Sequence, residues 1–436
     1  MLLKKIPAHL LIAASSWMSR IVSAIIQIAC IKIIINILGS NGYAAFVLLS
    51  ALIAWGALAD LGVGSALQNY ISERRAAGKT YQAFIFYATL LLCSFIIIIL
   101  SFVFFLSPIF SEIYLKNFNA TLIGDKNILF FSAIAIFCVI TIGNVLFKIW
   151  FAELKGWIAN IFSCCCSIIG FVGVYCSQFV DAKMDVLLIL LIFYGPLALF
   201  PVICFFYKNI KIFGQVKKHK KYISIISKMI LSRANGFLLF TFMGTLVLQA
   251  DYLVMSQKIP ADDIVVYSIL MRIFGFVFFV YSALLQAVWP VCVEYRIKKE
   301  WRKLQDIVVQ NVTAGISLVI VSSILIYYLH SRIFDILAPQ LNHHLSWVLF
   351  VFFCLYFSLR VWSDTFAMLL QSMNYLKPLW LLVPVQACLS IALQWCFAGN
   401  YGLYGIMGGL IASFVFTVVL IVPVICFKKI RALMSC

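Results

Sequence analysis

Apolar stretches long enough to cross a bilayer recur from one end of this chain to the other. A spanning helix needs about 20 predominantly apolar residues, and about twelve segments meet that requirement. They cover residues 10–38, 43–67, 83–107, 127–147, 158–180, 186–207, 234–255, 264–290, 307–329, 346–370, 378–398 and 402–427. No polar stretch between them is long enough to fold as a domain of its own. A length of 436 residues would otherwise suggest two or three soluble domains. That prior gives way to a composition of 64% hydrophobic and 11% charged residues and a mean hydropathy of +1.08. Whatever the chain does, it does inside a bundle of membrane helices.

A net charge of +18 could point to nucleic acid, but the placement of the charge points elsewhere. With the N-terminus in the cytoplasm and the spans alternating, 24 of the 33 lysines and arginines fall on the cytoplasmic side. They include Arg74, Arg75 and Lys79, and eight residues between Lys208 and Arg233. Five lie on the outer side: Lys116, Lys126, Lys183, Lys258 and Arg332. This is the positive-inside bias, which places both termini in the cytoplasm and brings basic loops to anionic headgroups. Membrane lipids are therefore expected partners and nucleic acid is not. Lys4 and Lys5 precede an apolar run that continues to about Leu38, too long for a signal sequence and interrupted by Arg20 and Lys32; it reads as a retained first span. The 14 cysteines lie mostly within spans, and no Cys-x-x-Cys pairs with another. They read as small apolar helix residues, with no disulfide, metal or cofactor expected.

The longest inner loop, residues 208–233, separates six spans from six. The sequence thus predicts an all-α polytopic protein with a six-helix lobe over 1–207, a basic cytoplasmic linker over 208–233 and a second six-helix lobe over 234–436. Within the linker, residues 222–233 look amphipathic and are expected to lie on the cytoplasmic surface. Shifting the chain by 224 residues puts Tyr43 on Tyr267, and Arg74 and Arg75 on Lys298 and Lys299. A repeat of equal, same-way-up lobes suits a two-lobed transporter whose rocking alternately exposes a central cleft.

Ionisable side chains in mid-bilayer cost at least ~2.5 kcal/mol each on insertion scales, so they are candidates for function. Arg20 falls about ten residues into the first span, roughly 15 Å deep, where a side chain reaches headgroups least easily. Lys32 is nearer the outer end, within snorkelling distance of it. Asp60, in the second span, stands beside the small-residue segment Leu61 to Ser65, which suits either tight helix packing or a cation or proton site. Asp251 in the seventh span is a candidate partner for Arg272 in the eighth. Arg360 and Asp364 in the tenth are four residues apart and can neutralise each other. Arg20, Arg272, Lys32 and Arg360 are the candidate anion ligands, since arginine grips phosphate oxygens in a bidentate fork. Asp60, Asp251 and Asp364 are the candidate coupling acids. Gln27, Asn36, Gln249 and Gln286 suit sugar hydroxyls or helix bridging equally.

The segments IPAHLLIAASSWMSR (Ile6 to Arg20), LGSNGYAAFVLLSALIAW (Leu38 to Trp55) and ADLGVGSALQNYISERRAAGK (Ala59 to Lys79) resemble the O-antigen flippases of enteric bacteria, the Wzx type of the polysaccharide-transport family. The twelve-span layout and basic central loop extend the resemblance along the chain. It implies the multidrug/oligosaccharidyl-lipid/polysaccharide exporter superfamily and a MATE-like fold. It implies a cargo of one O-antigen repeat unit on undecaprenyl diphosphate, moved from the cytoplasmic to the periplasmic leaflet of the inner membrane on a proton or sodium gradient. An O-antigen polymerase and a chain-length regulator are then candidate partners. The related lipid II flippases carry cavity arginines on their first, second and eighth spans. This chain matches them with Arg20 and Arg272 but has Asp60 on the second and lacks their two extra spans, which argues against lipid II as cargo. Two other readings remain open here: a small-molecule drug exporter of the same superfamily, and an O-antigen polymerase or glycosyltransferase. The latter would have to use Glu112 and Asp125, or the adjacent Asp262 and Asp263.

Overall fold

A computed structural model describes residues 8–55, 62–119, 123–180, 184–216, 223–373, 375 and 377–434. Backbone polar groups have no water to bond in hydrocarbon, and a helix satisfies them within one segment. Among the described residues there is accordingly no strand. The helices are α1 (Ala8–Ala54), α2 (Val63–Ala76), α3 (Gln82–Tyr114), α4 (Lys126–Ala152), α5 (Gly156–Cys176) and α6 (Val186–Val216), followed by α7 (Ile223–Lys258), α8 (Ala261–Ile297) and α9 (Trp301–Leu337), and then α10 (Trp347–Ser372), α11 (Lys377–Phe414) and α12 (Leu420–Met434). Nine continuous helical segments among the described residues are long and apolar enough to span a membrane. The last, Lys377–Met434, holds two of the expected spans; the first, Ala14–Ala54, holds the first span and the opening of the second, which was expected to run on to residue 67 through residues outside those described; and α7 carries the seventh.

Two expected loops are kinks instead. The chain passes from the first span to the second inside α1, bending at Gly39 (φ 70°), and from the eleventh to the twelfth inside α11, bending at Gly402 (φ 55°). Only a residue without Cβ takes that backbone cheaply, so a single non-helical glycine joins two helices end to end at each bend. The amphipathic stretch expected at 222–233 is part of a longer helix. Residues 223–233 are the opening turns of the continuous α7. Ile230 and Ala234 bury in the same apolar cluster as α2, α3 and α4. The Tyr70 hydroxyl donates to the Met229 carbonyl at 3.0 Å, and Arg233 pairs with Glu73 at 2.7 Å. Ile226, Ile230 and Ala234 therefore pack on protein.

The chain divides into two compact units, Met1–Thr245 and Leu246–Cys436, with the boundary inside α7. In the first, α4 packs against α2, α3 and α6, and α1 against α5. In the second, α10 is central, packed on α8, α9 and α11, with a run of rings at its heart: Tyr267, Phe353, Phe274 and Phe357. The outer faces are as apolar as the cores. Phe104 and Phe105 of α3 are 63% and 76% exposed, as expected where the solvent is lipid. At 33 residues α3 is about 50 Å long, against about 30 Å of hydrocarbon, so it is long enough to span even when tilted.

Candidate functional site

The second unit gathers three of the charges marked in the sequence. Asp251, on α7, is 3% exposed. The Tyr267 hydroxyl, from α8, donates to its Oδ2, and the Tyr252 amide donates to its Oδ1 at 3.0 Å. Tyr267 is itself fully buried, with its ring edge-on to Tyr252 at 5.8 Å and tilted on Phe353 at 5.7 Å. The carboxylate is thus gripped from α8, by the residue five positions before Arg272.

Arg360 and Asp364 are partly buried on α10. The guanidinium of Arg360 sits 4.3 Å from the ring centre of Phe278, with Phe357 at 5.9 Å and Tyr356 at 6.0 Å. Aromatic faces are electron-rich and hold a desolvated cation without needing a full counter-charge. Arg360 also lies within electrostatic reach of the Tyr356 hydroxyl, Asp364, Tyr267 and Asp251. No ion pair of 4.0 Å or less joins it to Asp364 among the described residues. The arginine is therefore shared among π faces, hydroxyls and two acids, rather than cancelled by one neighbour. Phe278 brings its ring to Arg360 from α8, about one turn before Tyr281, whose hydroxyl is hydrogen-bonded with that of Thr365 on α10. The same stretch of α8 thus holds both the arginine and the helix that carries it.

Other candidates lie on α1 and α8. Arg20 and Lys32 are exposed on α1, as are Gln27 and Asn36, whereas Ile26, Cys30, Ile31, Ile34 and Ile35 of the same helix are buried. The first unit thus leaves the polar side of α1 uncovered. Arg272 is partly buried on α8. Asp60 lies outside the described residues. The acids required by the enzymatic reading have structural duties. Asp125 caps α4 by accepting from the amides of Asn127 and Ile128 at 2.8 and 3.2 Å, Glu112 pairs with Lys126 at 3.1 Å, and Asp262 and Asp263 open α8, where negative charge complements the helix dipole.

Sequence reasoning missed the residues that hold these charges: Tyr267, Tyr356 and Phe278. The one available signal was the 224-residue repeat, which singled out Tyr267. It also missed a buried polar row on α11, where Gln394 donates to Ser390 at 2.7 Å while Gln386 Nε2 and Gln394 Oε1 find no partner among the described residues.

Charges and tyrosines buried in long apolar helices, on a fold that is helical throughout the described residues, define a polytopic membrane protein. Solved structures with this fold include an inward-facing multidrug resistance MATE family transporter of the MOP superfamily (TM-score 0.74, 12% identity, 95% of this chain and 96% of that one). Another is a lipid II flippase in an inward closed conformation (TM-score 0.68, 14% identity, 97% and 90%). No family model matches the chain. Among curated proteins, it is 44% identical over 431 residues to the "Putative O-antigen transporter" of Salmonella typhi, covering 99% of both chains. It is 41% identical over 416 residues to the protein of the same description in Salmonella typhimurium, covering 95% and 96%. The chain belongs to this O-antigen transporter family, with a MATE-like fold, and is a transporter rather than an enzyme.

Proposed function

We propose that the chain flips undecaprenyl-diphosphate-linked O-antigen repeat units from the cytoplasmic to the periplasmic leaflet of the bacterial inner membrane, with both termini in the cytoplasm. The observation that carries this reading is 44% identity along 99% of the chain to a relative described as an O-antigen transporter. The drug-exporter reading draws only on fold, at 12% identity. Arg20 and Lys32 in the first unit, and Arg272 and Arg360 in the second, are the residues proposed to meet the diphosphate and acidic sugars during passage. Their support is chemical: a cation in an apolar helix is costly, and a phosphate ester compensates it with charge and oxygen acceptors. Alternating access driven by a proton or sodium gradient, with no bound cofactor, is the proposed energy source. Asp251 is the leading coupling acid, since it is buried and already held by a hydroxyl that can follow a change in its protonation. Asp364 and Asp60 are the other coupling candidates. An O-antigen polymerase and a chain-length regulator are proposed partners on the far side of the membrane.

The test is surface O-antigen in a strain whose own transporter gene is replaced by Arg20→Ala or Arg272→Ala. Each variant is expected to abolish surface O-antigen while the protein remains inserted and abundant. Wild-type O-antigen in both strains would remove these arginines from the mechanism, and wild-type O-antigen after deletion of the whole gene would remove the function.

A further inference from the structure

The first unit contains a charged pocket that the proposed transport cycle does not use. It has a volume of about 340 Å³ and lies among the α2–α3 loop, the end of α4 and the C-terminal part of α6; its walls include Lys79, Tyr81, Ile149, Glu153, Lys208 and Asn209. Several contacts fix its form. Arg74 Nη1 donates to the Thr80 carbonyl at 2.8 Å and pins the loop. The Tyr81 hydroxyl donates to Glu153 Oε1 at 3.0 Å. The other oxygen of Glu153 faces the ammonium groups of Lys155 at 3.2 Å and Lys208 at 3.8 Å. Burial, and then the bond to Glu153, push the Tyr81 hydroxyl above the usual tyrosine range, so it remains a donor. Lys155 and Lys208 thus share a single carboxylate, Lys79 adds a third positive charge on the pocket wall, and the charge left over is positive.

A second observation concerns the lipid side of the same helix. An apolar groove of about 360 Å³ lies between α5 and α6, lined by Phe162, Cys165, Ile169, Phe200, Ile203 and Tyr207. Tyr207 is the residue before Lys208. Tyr207 and Ile210, on either side of the lysine, are 82% and 67% exposed. A cationic pocket at the end of spanning helices, next to a greasy groove that runs down one of them, has the two halves of an amphiphile's shape.

We propose that this pocket and groove bind one anionic phospholipid, with Lys79 and Lys208 on its phosphodiester and an acyl chain along α5 and α6. A soluble phosphate ester would use the lysines but leave the groove without an occupant. Basic pockets between spanning helices at the membrane surface suit this chemistry. The bound lipid would tie the ends of α3, α4 and α6 together, and nothing in this assignment depends on what the transporter carries.

The test uses the full-length protein in phosphatidylcholine nanodiscs, titrated with phosphatidylglycerol and read by native mass spectrometry. Wild type is expected to take up phosphatidylglycerol in preference to phosphatidylcholine. Each lysine near an anionic surface contributes about a fivefold effect, so Lys79→Gln with Lys208→Gln is expected to weaken uptake about 25-fold. Lys428→Gln with Lys429→Gln, at the end of α12, is the charge-matched control and is expected to leave uptake unchanged. Unchanged uptake in the Lys79/Lys208 variant, or an equal loss in the control, would overturn the site. Displacement of the lipid by equimolar glycerol phosphate would overturn the lipid as its occupant.

Discussion

Removing one oxygen tests the central contact of the second unit. Tyr267→Phe keeps the ring against Tyr252 and Phe353 and deletes the hydroxyl that donates to Asp251. Interhelical hydrogen bonds in bilayers average about 0.6 kcal/mol and reach about 1.7. A carboxylate acceptor roughly doubles a hydrogen bond, and Asp251, 3% exposed, has little water to replace the lost donor. The interaction is therefore expected near the upper end, about 1–2 kcal/mol. The single variant mixes this energy with any rearrangement around Arg360, so the assay is a double-mutant cycle of Tyr267→Phe, Asp251→Ala and both. Unfolding by SDS in mixed micelles, followed by tryptophan fluorescence, gives each free energy. The coupling should be about 1–2 kcal/mol, and Tyr267→Phe should cost almost nothing once Asp251 is gone. Coupling inside about 0.5 kcal/mol, the scatter of sites that do not touch, would refute the contact.

Trp362 offers a second test. Pro423 has no amide hydrogen, so the carbonyl four residues earlier, Val419, loses its helical partner; Trp362 Nε1 donates to it at 3.1 Å instead. Trp362→Phe should cost about 1–3 kcal/mol in the same unfolding assay, and less in a Pro423→Ala background, where the helix can supply the missing bond. At the start of α7, Arg233 both pairs with Glu73 and lies 4.2 Å from the ring centre of Tyr70. The ion pair is largely exposed, so Glu73→Gln should cost less than about 1 kcal/mol and lose its effect in high salt. Arg233→Ala should cost more, because the ring contact goes too, and should keep part of its effect in high salt.

Hydropathy reads the medium and is blind to direction, and the outcome here follows that division. The spans among the described residues were legible because about 20 apolar residues in a row have one stable home. Which face of a span meets protein was not, since a membrane helix is apolar toward its neighbours and toward lipid alike. Phe105 is 76% exposed and Phe353 fully buried, yet both stand in phenylalanine-rich runs of the same texture. Kinks escaped for a related reason: Gly39 and Gly402 mark bends only through their backbone angles, and glycine is common in spans that neither bend nor end. Charges were easy to find, whereas their partners came from helices distant in sequence, as Tyr267 and Phe278 did. The internal repeat is the exception, because it compares the chain with itself. A shift of 224 places Tyr43 on Tyr267, and both are fully buried. The same shift places Gln27 on Asp251. In the second unit the tyrosine hydroxyl meets a carboxylate; in the first, the Tyr43 hydroxyl finds no partner among the described residues, and Gln27 is exposed. The two halves thus keep the tyrosine's seat and differ in what it holds. An acid at one of the two matching positions and an amide at the other is the asymmetry on which the proposed coupling role of Asp251 would draw.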